Sequence, residues 1–166
     1  LLLPFMTNET TQSSATSRFV EYYEGLLLAV DSLRNMGTSI ELSVYDTGNG
    51  TKKVKEILKE DALSNANLII GAVQNDQIGL IADFAQKHNI KYVIPFTSKN
   101  DDVLSNANVY QVNTPHSYLY SKAAQAGCDL FSDYNIILVN IKDKEEKPEF
   151  IKAFKTEMQQ RDIPFK

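Results

Sequence analysis

Leu68-Ile69-Ile70-Gly71, then Asp76 to His88, then Tyr92-Val93-Ile94-Pro95-Phe96 is the stretch whose reading decides the fold. The first run is apolar and of strand length. Between Asp76 and His88, the residues Ile78, Ile81, Ala82 and Ala85 fall on one stripe of a helix, the apolar face of a period near 3.6. The third run is again apolar and of strand length. A strand, an amphipathic helix and a second strand make a βαβ unit. Its two strands must run parallel, because a helical crossover returns the chain to the same end of the sheet.

The same alternation continues in both directions. Upstream, Leu1 to about Phe5 is apolar, and Thr7 to Ser17 is polar without period, a loop. A helix is expected from Arg18 to Asn35, because Tyr22, Leu26, Val30 and Leu33 recur at spacings of four, four and three, with Leu27 and Ala29 widening the face. Gly37 is a plausible stop. Ile40 to Tyr45 alternates as a strand, Asp46 to Gly50 is a loop, and Thr51 to Leu63 predicts one helix with Val54, Ile57, Leu58 and Leu63 inward. Downstream, Thr97 to Ala107 is a loop or short helix, Val109 to Val112 a strand, Ser117 to Phe131 a helix and Ile136 to Val139 a sixth strand. Lys142 to Lys147 reads as a solvated turn. Pro148 to Gln160 is a last helix carrying Phe150, Ile151, Phe154 and Met158 on one side, with Pro148 tolerated in its first turn. The sequence therefore predicts an α/β fold with a doubly wound, Rossmann- or flavodoxin-like parallel sheet.

Composition narrows the function. The 166 residues are 43% hydrophobic and 23% charged, which suits an ordinary folded domain. The net charge is -4 and no basic stretch occurs, so nucleic acid is a poor partner. No apolar run approaches the ~20 residues that span a bilayer. Cys128 is the only cysteine, so there is no internal disulfide and no Cys/His set for zinc. The opening Leu1-Leu2-Leu3-Pro4-Phe5 reads as a strand entered midway, so the polypeptide is expected to extend upstream. Neither a charged lead nor a small-residue cleavage site marks a signal peptide.

In an open parallel sheet, ligands bind beyond the carboxyl ends of the strands. The loops that matter most are Gly71 to Asp76 and Pro95 to Asn100, whose Gln74, Asn75, Asp76, Thr97 and Ser98 stand where helices are expected to start. A helix start offers free N–H groups and partial positive charge to an anion. Helix capping by these side chains is the plainer expectation, and it does not exclude a ligand. Asp46-Thr47-Gly48-Asn49-Gly50-Thr51 resembles the phosphate loop of flavodoxins but follows the second strand rather than the first. No G-x-G-x-x-G or P-loop string is present. Asp46 lacks the acidic partner that a phospho-acceptor site needs. Neither His88 nor His116 accompanies a nucleophile elbow, and Cys128 reads as a packed small residue. The residues call for no catalytic group, no cofactor and no metal.

Several strings together resemble the type I periplasmic binding proteins of the branched-chain amino-acid receptor class. They are the strand ending in Leu3-Pro4, Phe19 to Asp31, Tyr45-Asp46, Leu68 to Val73, Val93 to Ser98, and Val109 to Pro115. The nearest likeness is to the binding-protein-like domain that accompanies LysM peptidoglycan-binding modules in Bacteroidetes envelope proteins. The resemblance implies two lobes, a ligand in the cleft between them and closure on binding. Residues 1–114 would form lobe one and 115–166 the incomplete beginning of lobe two, with the chain continuing beyond Lys166. It implies a non-enzymatic, periplasmic or cell-envelope domain for a small polar ligand, an amino acid or a cell-wall fragment, with peptidoglycan reached through an attached module. Thr97 and Ser98 match the hydroxyl position after the fourth strand. Gln74 and Asn75 stand where hydroxyls would be expected after the third, a departure that favours an alternative role as a protein-interaction scaffold in cell-wall maintenance. Tyr118 would line the cleft from the second lobe. A flavodoxin-like electron carrier is a third reading.

Overall fold

A computed structural model describes residues 1–7, 14–139 and 148–165, with the side chains of residues 14 and 15 left out. The chain divides into two compact units, Leu1–Asn113 and Thr114–Lys166. The first contains β1 (Leu2–Leu3), α1 (Ser14–Asn35), β2 (Tyr45–Asp46), α2 (Lys52–Ile57), α3 (Asp61–Ser64), β3 (Leu68–Ile70), α4 (Asn75–His88), β4 (Lys91–Ile94) and β5 (Val109–Gln111). The second contains α5 (His116–Leu130) and α6 (Pro148–Gln160).

All strand pairs are parallel: β1 with β2, β3 with β4, and β4 with β5. A single parallel bridge, Leu2 to Gly71, joins the two ladders. The strand order is therefore β2-β1-β3-β4-β5, the doubly wound order whose switch point lies between β1 and β3. Right-handed crossovers put α1 on one face and α2, α3 and α4 on the other.

The helix α4 was the most legible element, and its expected inward residues Ile78, Ile81, Ala82 and Ala85 are all buried. They pack with Leu2, Val54, Ile69, Tyr92, Ile94 and Val109 into the core on that face. Its end is equally local in origin. Asn89 turns into the left-handed region (φ 54°), its N–H reaches Gln86 and the Ile90 N–H reaches the Ala85 carbonyl at 2.8 Å. These two bonds are the Schellman arrangement, which satisfies carbonyls that have no helical partner.

Several expectations are corrected. The single helix over Thr51 to Leu63 is two, α2 and α3, because Val54 and Leu63 are both buried. Nine residues at 100° each would place them on opposite sides of an unbroken helix, so the break lets both reach the core. The strand expected over Ile40 to Tyr45 is reduced to Tyr45–Asp46, and Ile40 and Val44 are exposed. In α1 the expected face is only half-buried, with Leu27 and Leu33 exposed, since little of the sheet lies against it. The sixth strand shrinks to one bridge between Ile136 and Phe165, and Ile137 and Val139 are exposed. No helix starts at Thr97 or Ser98; the only helical turn in that loop is a 3-10 turn at Asp102–Leu104. The charge run Lys142 to Lys147 lies outside the described residues. The recurring Leu-Ser-Asn-Ala-Asn string (63–67 and 104–108) is punctuation: each copy ends a helical turn and leads into β3 or β5.

In the second unit, α5 and α6 pack closely enough that a Cβ at Gly127 would stand 2.7 Å from the Phe154 ring. Phe150 links Tyr120 and Phe154 at centroid distances of 5.8 and 5.9 Å. Arg161 bonds Glu157 within its own turn and reaches Asp129. Cys128 is buried, and burial pushes its thiol pKa up, as fits a packing role.

Candidate functional site

The carboxyl ends of β1, β2, β3 and β4 bring four loops together, and two features fix their geometry. The first is the β1–β3 seam. Gly71 has φ 129°, and a Cβ there would stand 1.9 Å from the Leu2 carbonyl oxygen. Only glycine allows β3 to close on β1 at this point. The Ala72 N–H then donates to that same Leu2 oxygen at 2.8 Å, with Ala72 buried at φ 58°. The buried Tyr92 hydroxyl donates to the Gly71 carbonyl at 3.1 Å. Burial, with the Asp102 charge adding to it, pushes the Tyr92 phenol well above its usual range, so it stays a donor.

The second feature is Asp46. It accepts the Met6 and Thr7 N–H groups at 3.1 Å, the Thr7 hydroxyl at 2.8 Å, the Gly48 N–H at 3.0 Å and Lys53 Nζ at 3.0 Å. Burial alone would raise its carboxyl pKa. The bonds from Thr7, Gly48 and Lys53 overcome that and hold it well below the usual carboxylate range. Asp46 is therefore a structural anion that ties the loop after β1 to the loop after β2. Sequence reasoning saw it only as an acid without an acidic partner, because two of its donors, Met6 and Thr7, lie about forty positions away.

Gln74 joins the same network. Its Oε1 accepts the Gly50 N–H at 3.0 Å and its Nε2 donates to Asn49 Oδ1. Beside it, the buried Gln77 donates to the Gly50 carbonyl at 2.8 Å. The side chain of Gln74 is thus committed to the neighbouring loop, although its backbone stands at the start of α4 as expected. The N–H groups of Gly48 and Gly50, which a flavin phosphate would need, are already used by Asp46 and Gln74.

Asn75 is the exposed first residue of α4, and Thr97 and Ser98 are half-exposed after β4. The pairing of β3 with β4 sets these two loops side by side. Thr97 does not cap a helix; its Oγ1 accepts the Lys99 N–H at 3.0 Å, a local turn. Tyr118 lies on α5 in the second unit and is 63% exposed.

An aromatic wall at this edge was missed. Phe96, at the end of β4, meets Phe19 at 5.5 Å and Tyr22 at 4.7 Å, both edge-on, and Phe5 meets Tyr23 at 5.8 Å. The first turns of α1 therefore overhang the carboxyl edge. The available signal was the spacing of Phe19, Tyr22 and Tyr23, which fits one helical face, but nothing local tied it to Phe5 or Phe96. Apolar ring walls with a few hydroxyl and amide groups between them suit a small amphipathic ligand.

No family model and no curated protein matches the chain. A solved structure does: the crystal structure of an ABC transporter substrate-binding protein from Desulfitobacterium hafniense in complex with Leu. The TM-score is 0.67 at 14% identity, over 99% of this chain and 47% of that one. The chain thus shares the α/β fold of a substrate-binding protein and spans about half that protein's length. Among the described residues, no helix is long and apolar enough to cross a membrane.

Proposed function

We propose that the chain supplies lobe one (1–114) and the start of lobe two (115–166) of a two-lobe, non-enzymatic binding domain outside the cytoplasm. The domain takes a small polar ligand, an amino acid or a cell-wall fragment, and closes over it. The observation that carries this reading is the carboxyl edge of the sheet, where exposed Asn75 after β3 and half-exposed Thr97 and Ser98 after β4 stand near the aromatic wall. At the start of α4 the Gln77 and Ile78 N–H groups are taken by the Gln74 carbonyl, so the Asn75 and Asp76 N–H groups are the ones suited to a carboxylate. The similar solved protein was crystallised with Leu, which supports an amino acid among the ligands to try first. Tyr118 would contribute from lobe two. The finer placement, beside LysM modules in Bacteroidetes envelope proteins with peptidoglycan within reach, rests on the sequence resemblance.

One observation favours the scaffold instead. With Gln74 bound to Asn49 and Gly50, the wall after β3 keeps Asn75 and Asp76 as exposed polar side chains and no hydroxyl for a ligand.

A thermal-shift screen against amino acids and muropeptides separates the two. A ligand that binds the folded state raises Tm, by about 2.7 kcal/mol of added stability at a hundredfold excess over Kd. The expected hit disappears in the Thr97→Ala/Ser98→Ala variant. Folded protein that shifts with none of them supports the scaffold.

A further inference from the structure

Asn49-Gly50, in the loop after β2, is the one Asn-Gly pair in the chain. An asparagine followed by glycine carries its own modification chemistry. Its side-chain Cγ and the next backbone nitrogen can close a five-membered ring, and glycine has no Cβ to obstruct the approach. Ring closure joins the Gly50 nitrogen to Asn49 Cγ. The side-chain NH2 departs as ammonia, taking the proton that the Gly50 nitrogen gives up, and a succinimide remains. Water then opens one of the two ring C–N bonds and leaves either aspartate or isoaspartate. Water is the only co-reactant.

The loop presents this pair to solvent. Asn49 is exposed and lies between Gly48 at φ 56° and Gly50 at φ 68°. A Cβ at Gly50 would meet nothing within 4 Å, so no neighbouring element crowds the ring. Yet one side chain binds both reacting groups. Gln74 Oε1 accepts the Gly50 N–H at 3.0 Å, and Gln74 Nε2 donates to Asn49 Oδ1. The Gly50 nitrogen attacks only after it releases its proton, and an acceptor on that N–H favours the protonated form. The bond to Oδ1 also restrains the Asn49 side chain, which must turn toward the nitrogen to close the ring. Gln77, fully buried, holds the other side of the same glycine by donating to the Gly50 carbonyl at 2.8 Å. A shorter hydroxyl side chain at position 74 could not bracket both groups, which gives the glutamine found there a use of its own.

We propose that Asn49-Gly50 is a spontaneous deamidation site and that Gln74 guards it, its acceptor on the Gly50 N–H setting the rate. Conversion adds a negative charge to the loop. Isoaspartate also inserts a carbon into the backbone, which moves the Gly50 N–H and carbonyl away from Gln74 and Gln77 and frees the loop from the start of α4. The inference is independent of any ligand at the carboxyl edge.

The test follows the peptide carrying Asn49 by mass spectrometry in neutral buffer, reading the mass gain of exchanging NH2 for OH. It compares the folded chain, the chain unfolded in guanidinium chloride, and the variants Gln74→Met and Gln74→Glu, each shown to be folded by circular dichroism. The folded chain should convert at least about fivefold more slowly than the unfolded one, the factor that a single hydrogen bond supplies. Gln74→Met keeps the side-chain length but loses both bonds, and should recover most of the unfolded rate. Gln74→Glu keeps an acceptor for the Gly50 N–H and should stay as slow as the parent. A folded parent that converts as fast as the unfolded chain would overturn the guard. So would a folded Gln74→Met as slow as the parent, or a folded Gln74→Glu as fast as the unfolded chain.

Discussion

The two ends of one parallel sheet differ sharply in how they are held. At the carboxyl end, the loops after β1, β2 and β3 are bound to one another through Gly71, Asp46, Gln74 and Gln77. At the amino end the same three strands diverge around a cavity, and α1 spans it with a half-buried face. Apolar content does not make the difference, because Leu1, Leu42 and Leu68 at the open end are as apolar as anything at the closed one. What differs is whether backbone donors and acceptors meet partners. A strand is stabilised by its neighbours, and an edge without one leaves its side chains little to pack against. The same contrast separates α4, which lies on a paired stretch of sheet and buries five residues, from the longer α1.

The largest expected effect lies at the closed end. Gly71→Ala forces a Cβ against the Leu2 carbonyl and strains a left-handed φ, so the β1–β3 seam must part. A loss of at least about 3 kcal/mol is expected in denaturant unfolding, a large share of the stability of a typical domain. A loss below about 1 kcal/mol would show that the seam gives way as easily as the open end, and the contrast would fail.

Asp46→Asn removes the charge that gathers Thr7, Gly48 and Lys53, with an expected cost of about 1–3 kcal/mol at pH 7. The pH dependence follows from the sign of the shift. The folded carboxyl pKa lies below its unfolded value, so the stabilisation is fully present above the unfolded pKa near 3.9 and is lost as pH falls through the folded pKa. The gap between parent and variant should therefore be constant from about pH 5 upward and narrow below about pH 4. Unfolding curves at several pH values test this, and a gap that widens on acidification would contradict it.

At the open end, Leu42→Ala should cost less than about 1 kcal/mol, because the side chain borders a cavity and loses few contacts. A cost above about 2 kcal/mol in denaturant unfolding would show that the open end is held as tightly as the closed one.

Much of the fold was legible in the residues themselves. The α4 stripe, the strand runs around it and the bounds of α6 at Pro148–Gln160 follow from local period and turn chemistry. The site was legible only as a set of loops. That Asn75, Thr97 and Ser98 stand at neighbouring strand ends follows from a parallel sheet. That Gln74 turns to Asn49, that Thr97 makes a local turn rather than a helix cap, and that Phe96 meets α1 does not follow, because each depends on a partner distant in sequence.

The sequence alone determined the element types, the parallel sense of the strands and the loops available to a ligand, since these rest on periodicity and on the geometry of a helical crossover. Tertiary structure decided the β2-β1-β3-β4-β5 order, the break between α2 and α3, the role of Asp46 and the exposure along α1. Each of these depends on which surfaces meet. Periodicity shows which face of an element is apolar; whether that face is buried depends on what the rest of the chain brings against it.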